Sequence, residues 1–397
     1  FTITGVCTAT SFTGTYNSDA QSNTVIGTNA GDSFTGTDAI QNTLIGYEAG
    51  TGITTGDANT AVGKSALDGN TTGSQNSAFG SNSLGGASMT SSYNSAFGNN
   101  TMTALTSGAY NTSVGTESLE GCTTGNYNVG IGFKALEAVT TGNNNISIGS
   151  YALDANTTAG NNVAVGYAAL GANTTAAYNT GVGHEALKVN TTGTSNVAFG
   201  SNALDANSTG DYNTALGGWA LSANTTASRN TGIGYHSLLA NTTGTGLVAI
   251  GFQALASSST ASNNTALGAY AADAITTATA CEAIGYGALS QCTTGSSNVA
   301  IGTNAVNSLT TNGGCTGVGY NALLYATGEN NTAVGKSAGA AITTGDNNVA
   351  VGHSALDSTT TASYNNALGA SALQANTTGD RNTAMGHGAL YANTTAS

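Results

Sequence analysis

Apolar and small residues recur along this chain at a fixed spacing. A glycine preceded by an apolar residue returns from Gly27 to Gly386, as at Gly63, Gly80, Gly98, Gly115 and Gly132. Successive copies lie 17 residues apart, except for a first interval of 19, one of 18 and one of 16. The residue before this glycine is apolar in every copy (Ile26, Ile45, Val62, Phe79, Phe97, Val114 and on to Met385). Two before it stands Ala, Gly or Ser in nearly all copies, as in Ala61, Ala78, Gly130 and Ala164. Three after it the residue is small again (Ala66, Ala135, Ala186), and four after it is usually Leu (Leu67, Leu136, Leu187). Self-similarity at a fixed period marks a repeat architecture, in which each copy is one structural unit stacked on the next.

Thr-Ala-Val-Gly, rich in β-branched and aromatic members, predicts a short strand. Side chains alternate along a strand, so the Thr/Val and Val/Ile/Phe positions share one face and Asn, Ala and Gly share the other. Neither face is charged, which predicts a strand buried on both sides. The Ala-Leu step predicts a second strand in the same coil. Asn-Thr-Thr-Gly predicts the closing turn, with Asn and Gly accepting positive φ. A helical solenoid needs two helices per repeat, and a short Gly-, Asn- and Thr-rich repeat cannot supply them. The predicted fold is therefore all-β: a parallel β-solenoid or β-roll of about 22 coils, with the repeat domain over residues 23–397 and a short leader over residues 1–22. At about 4.8 Å per coil, the expected rod is on the order of 105 Å long.

Stacked coils place equivalent residues over one another. Four before the glycine, Asn59, Asn76, Asn94, Asn111, Asn128, Asn145, Asn162, Asn179 and Asn196 are expected to form a ladder, each amide bonding its neighbour so that no polar group is stranded. A second Asn column, seven after the glycine, holds Asn70, Asn156, Asn173 and Asn207. Cys281 and Cys315 stand in the first column and Cys122 and Cys292 in the second. Cysteine favours buried sites, so both columns are expected to point inward. The Asn-x-Thr/Ser strings of the second column then read as repeat turns rather than glycan acceptors. With two large apolar residues per coil and a strand apolar on both sides, further burial against other chains is expected. Small Ala and Gly faces would let chains approach around a shared axis, as an intertwined or side-by-side homotrimer.

Composition narrows the function. The chain has 397 residues with Gly 57, Pro 0, 6% charged residues and a formal net charge of −13. Six Lys and Arg in total leave no basic patch for a phosphate backbone, so nucleic-acid binding is not expected. No apolar run is long enough to span a membrane. The start at Phe1 reads as a mature product or a segment, and five unevenly spaced cysteines make neither a disulfide framework nor a CxxC metal site.

Three sets of residues are candidates for chemistry or contact. Glu120, Glu137 and Asp154 lie five after the glycine in consecutive coils, where like charges repel or share a cation such as calcium; a solvated acidic edge is the plainer reading. Tyr93, Tyr110 and Tyr127 lie five before consecutive glycines and should form a row, a flat surface with hydroxyls that suits sugar rings, although stacking between coils explains it equally. The histidines (His184, His236, His353, His387) occupy variable surface positions. A uniform column on a convex surface offers no facing carboxylate pair for glycoside hydrolysis, so neither catalysis nor a cofactor is expected.

Asn59-Thr60-Ala61-Val62-Gly63-Lys64-Ser65-Ala66-Leu67 and Asn162-Val163-Ala164-Val165-Gly166-Tyr167-Ala168-Ala169-Leu170 resemble the head repeats of trimeric autotransporter adhesins, left-handed β-rolls wound three chains together. The longer repeat joined by Asn-Thr-Thr-Gly looks more like phage tail-fibre proteins, and the leader Gly5-Val6-Cys7-Thr8-Ala9-Thr10-Ser11-Phe12-Thr13-Gly14 is similar to fibre-shaft segments. The adhesin repeat is shorter, and neither a membrane-anchor barrel nor a phage-type C-terminal chaperone is visible here. The resemblance implies an extracellular, homotrimeric structural fibre, a virion tail fibre or a cell-surface filament, which meets a host glycan or receptor.

Overall fold

The computed structural model describes residues 21–35 and 38–397, so the predicted leader lies almost wholly outside the described residues. The chain falls into two compact units, one ending at Asn179 and the other spanning Thr180–Ser397. Among the described residues there is no helix, and every strand has three residues. The first unit carries β1 (Thr24–Ile26) through β9 (Val163–Val165), and the second β10 (Thr180–Val182) through β22 (Thr383–Met385). Within each unit a strand pairs in parallel with the strand of the next repeat, so each unit is a parallel β-solenoid.

Like lies over like in these layers. Thr60 opposes Ser77, Ala61 opposes Ala78 and Val62 opposes Phe79. Irregular repeats keep this register: Ser77–Phe79 pairs with Ser95–Phe97 across the long interval, and Thr316–Val318 with Thr332–Val334 across the short one. Two residues, the exposed Ala87 and Ser88, are inserted ahead of the fully buried Met89, which pairs with Asn70, and one turn residue is dropped before Ser91, leaving a net gain of one. The short repeat omits the residue after Thr327, a position held elsewhere by exposed threonines such as Thr124 and Thr141. Length changes are thus confined to the outside. A one-residue slip in the strand would instead exchange its faces.

The recurring glycines have φ between +120° and +145°, a region in which residues bearing a Cβ are strained. Space forbids a side chain as well: a Cβ on Gly132 would stand 2.6 Å from the carbonyl oxygen of Gly149 in the next layer.

The Ala-Leu step is not a second strand. Leu67 has φ +58°, and the segment is a run of turns. The Ala66 N–H donates to the Gly63 carbonyl at 3.4 Å within the coil, while the Leu67 N–H donates to the Ser83 carbonyl of the next coil at 2.9 Å. A left-handed backbone costs a residue with a side chain about 1–2 kcal/mol. Complete burial of the leucine, about 2 kcal/mol, offsets it. Nor does Asn-Thr-Thr-Gly supply the positive φ: in the coil that starts at Gly63 the left-handed residues are Ser65, Leu67 and Gln75.

The expectation of a strand buried on both sides is also overturned within each unit. Asn59, Ala61, Ala66 and Leu67 are fully buried and fill the coil. The large residues just before the glycine face outward, with Phe97 41% and Ile131 37% exposed. The small Ala and Gly face therefore packs into the chain's own interior rather than turning toward an axis shared with other chains. Space explains the choice. The turn leucine fills the space beside the strand; a large strand residue, Leu44, turns inward where Gly50 replaces that leucine, and a Cβ on Gly50 would lie 2.7 Å from Leu44 Cδ2.

Candidate functional surfaces

Inside each unit, asparagines join the layers. In the first column the Asn76 N–H donates to Asn59 Oδ1 at 2.9 Å, and Asn59 Nδ2 donates to Asn42 Oδ1 at 3.1 Å and to the Gly73 carbonyl at 2.9 Å. The backbone-to-side-chain link repeats at Asn94, Asn111, Asn128, Asn145, Asn162 and Asn179. In the second unit Asn213 N–H donates to Asn196 Oδ1 at 2.9 Å in the same way. The main link is thus a backbone N–H to a side-chain oxygen, with the amide-to-amide bond subsidiary; the sequence pattern pointed only to the latter.

In the second column Asn70 Nδ2 donates to the same Gly73 carbonyl at 2.8 Å, so one turn carbonyl ties the two columns together. Threonines add a third ladder that sequence reasoning missed: Thr123 Oγ1 donates to the Thr140 carbonyl at 3.0 Å and Thr140 Oγ1 to the Thr157 carbonyl at 3.1 Å. The Asn-Thr-Thr recurrence was its visible signal.

Cys122, Cys281, Cys292 and Cys315 are buried free thiols, while Cys7 lies outside the described residues. Burial pushes the Cys122 thiol up to about 11 and the Cys292 thiol up to about 12, which disfavours the nucleophilic thiolate at neutral pH.

Of the predicted carboxylates, Glu120 and Glu137 come together, but with Glu117 rather than Asp154: one oxygen from each of the three glutamates lies within 4.8 Å of the others. Lys134 stands among them, its Nζ 2.8 Å from Glu137 and 3.4 Å from Glu117. Burial, then the neighbouring Glu117 and Glu137 charges, raise the Glu120 carboxyl above its usual range. Hydrogen bonding to Glu137 raises the Lys134 ammonium. The lysine charge offsets the repulsion between Glu117 and Glu137, so the group forms an ion-pair network by itself. Asp154 is half-buried, and burial raises its carboxyl.

Tyr93, Tyr110 and Tyr127 stack in register, with ring centroids 4.8 and 5.0 Å apart and interplanar angles of 4° and 2°. All three have positive φ at a corner of the coil, which projects the rings outward. Both faces of Tyr110 are covered by its neighbours. What the row offers a ligand is therefore ring edges and hydroxyls rather than a flat platform. On the strand face Phe79 and Phe97 stack likewise, with centroids 4.9 Å apart.

Together these features define a parallel β-solenoid repeat protein, about 21 turns in its two units, with layers joined by asparagine and threonine ladders. No family model matches the chain, and a search of curated proteins finds no match. Among the described residues no helix is long and apolar enough to cross a membrane.

Proposed function

We propose that this chain is a structural fibre protein, the shaft of a phage tail fibre, assembled as a homotrimer outside the cell and supporting attachment to a host surface. The observation that carries this reading is the outward strand face. At every layer it presents a half-exposed apolar side chain, as in Val114, Ile131 and Ile148, with no charge in that row. Contiguous apolar surface of this kind marks an association face. Its occupant must match the period of the layers along their whole length, which another copy of the chain does without adjustment. The face turned to the partner is then the Val/Ile/Phe row, not the alanines.

Mass measurement in solution tests this directly, with particle images to follow. The expected mass is three times the 38.6 kDa of the chain, in elongated particles. Placing lysines at Val114, Ile131 and Ile148 should yield folded monomers, since these side chains already face water within one chain. A monomeric, compact parent protein would refute the reading.

The exposed tyrosine row favours one further role, a cell-surface adhesin or filament subunit that makes contacts along its sides. Retention on host-cell glycans that is lost in Tyr110→Ala would select it.

A further inference from the structure

In the second unit, one coil breaks the pattern of the outer turns. The position two after the recurring glycine carries Tyr270, Gly287 and Asn304 in turn; throughout the repeats only Gly287 and Gly388 leave that column without a side chain. Gly287 has the left-handed φ of its column, +61°, so the backbone continues unchanged while the side-chain row is interrupted. The interruption opens a groove of about 390 Å³ between Tyr270 and Asn304. Tyr286 forms one wall, 57% exposed, its ring set edge-on to Tyr270 at 80° and 5.9 Å. The two rings meet edge to face, so only one of them has a face met by the other, whereas Tyr110 in the Tyr93 row is covered on both.

The polar side of the groove is built as well. Asn307 is held as a fixed wall, its Nδ2 donating to the Gly287 carbonyl at 2.9 Å and to Ser290 Oγ at 2.7 Å. Asp273 lines the same groove, and its Oδ1 is screened from water and has no hydrogen-bond donor in the protein. Asp205 Oδ1 is screened in the same way in its own coil, so only the other Asp273 oxygen is open to a ligand in the groove. Asn304 is restrained only by a long bond from its Nδ2 to Asn321 Oδ1 at 3.5 Å.

We infer that this groove is a lateral binding site for a neutral saccharide: a pyranose ring lies with its C–H face on the exposed Tyr286, beside Tyr270, while one hydroxyl donates to the open oxygen of Asp273 and others exchange hydrogen bonds with Asn304. The volume and the mixture of aromatic walls with a few directed polar groups are those of a small-molecule site. The open carboxylate oxygen is a charged acceptor for a sugar hydroxyl. The same carboxylate, on a chain of net charge −13, repels acidic sugars, so selectivity follows from charge. The groove uses neither the strand face nor the Tyr93 row, and the inference holds whether or not the chain forms a fibre.

Saturation-transfer NMR on the full chain tests it, with the methyl pyranosides of glucose, galactose, mannose and N-acetylglucosamine as probes and N-acetylneuraminate and glucuronate as acidic comparators. Transfer to at least one neutral pyranoside and to neither acid is expected. Gly287→Asn places in the gap a side chain that the next coils already carry at Asn304 and Asn321, so the fold is kept while the groove is filled. It should abolish transfer, and Tyr286→Ala should weaken affinity at least tenfold. Tyr212→Ala, at an exposed tyrosine outside the groove, should leave binding unchanged. The inference is overturned by silence across the neutral panel, by equal transfer to the acids, or by undiminished binding in a Gly287→Asn protein with unaltered circular dichroism.

Discussion

Asn128→Ala tests whether the inner ladder holds the layers together. Asn128 Oδ1 accepts the Asn145 N–H at 3.0 Å and Asn145 Nδ2 at 3.1 Å, and its own Nδ2 donates to the Gly142 carbonyl at 2.8 Å. Alanine leaves the Asn145 N–H and the Gly142 carbonyl buried without partners; Asn145 Nδ2 keeps its bond to the Ala159 carbonyl at 2.9 Å. At about 1–3 kcal/mol for each stranded group, the loss is about 2–6 kcal/mol. Coils contact only their neighbours, so the effect should appear as local opening rather than a uniform drop in stability. Amide hydrogen exchange over residues 109–146 is the suitable assay, and a loss near 4 kcal/mol corresponds to roughly a thousandfold faster exchange there.

Two controls sharpen the test. Asn126→Ala removes a bond of the same length, from the Ala109 N–H at 2.8 Å, but in a half-buried outer row that water can reach, so exchange should rise by less than about tenfold. Asn128→Cys should be milder than alanine. Where cysteine occupies this column naturally, Cys281 Sγ donates to the Gly295 carbonyl at 3.4 Å and Cys315 Sγ to the Gly328 carbonyl at 3.3 Å, the contact that Asn128 makes to Gly142. Equal effects at positions 126 and 128, or a cysteine as damaging as alanine, would refute the role assigned to the ladder.

Gly132→Ala should be poorly tolerated, because φ is +134° and the new Cβ would meet the Gly149 backbone at 2.6 Å; a soluble yield and urea midpoint equal to the parent's would contradict this. Glu137→Gln should shift the midpoint by less than about 1 kcal/mol, since the pair with Lys134 is partly exposed and screened. Calcium should stabilise neither protein, and a calcium-dependent midpoint that Glu137→Gln removes would show a cation site. Burial raises the folded-state carboxyls of Asp68, Asp154, Asp205 and Asp273. These groups hold protons more readily folded than unfolded, so stability increases as pH falls through their raised values and is lost on the way back up. The urea midpoint at pH 4 should therefore be no lower than at pH 7, and a steady fall from pH 7 to pH 4 would contradict the assignment.

The repeat, its period and the in-register stacking were legible because each is a column property: identical residues recur where identical surroundings recur. The inward direction of both Asn columns was legible for the same reason, through the cysteines that share them. The turn geometry was not. Leu67 and its equivalents read as strand formers by composition, yet they take left-handed φ because a buried leucine and one bond to the next layer outweigh local preference. The Glu117–Lys134 contact was hidden because it joins neighbouring layers at one column. Glu117 lies two after its glycine, away from the column of Glu120 and Glu137. The groove at Gly287 was hidden because it is an absence: a missing side chain is silent until its neighbours above and below are placed.

The exchange of inside and outside on the strand follows from the size of the coil. Alternation alone assigns two faces but not their direction, and with no charge on either face, hydrophobicity favours sending Val, Ile and Phe inward. Packing decides against it. The lumen accepts Ala61, Leu67 and Asn59 at full burial, and takes a large strand residue, Leu44, where Gly50 stands in place of the turn leucine. Strand and turn compete for one space, which the turn leucine fills in most coils, so the row before the glycine points out. A chain that spends alanine on its own interior keeps its bulkiest apolar side chains at the surface, layer after layer. The interior then sets the repeat, while the exterior is free to serve the assembly proposed above. Lysines on the outer row should therefore separate chains without unfolding them, whereas a charge at Leu187, fully buried, should unfold the coil before assembly becomes a question.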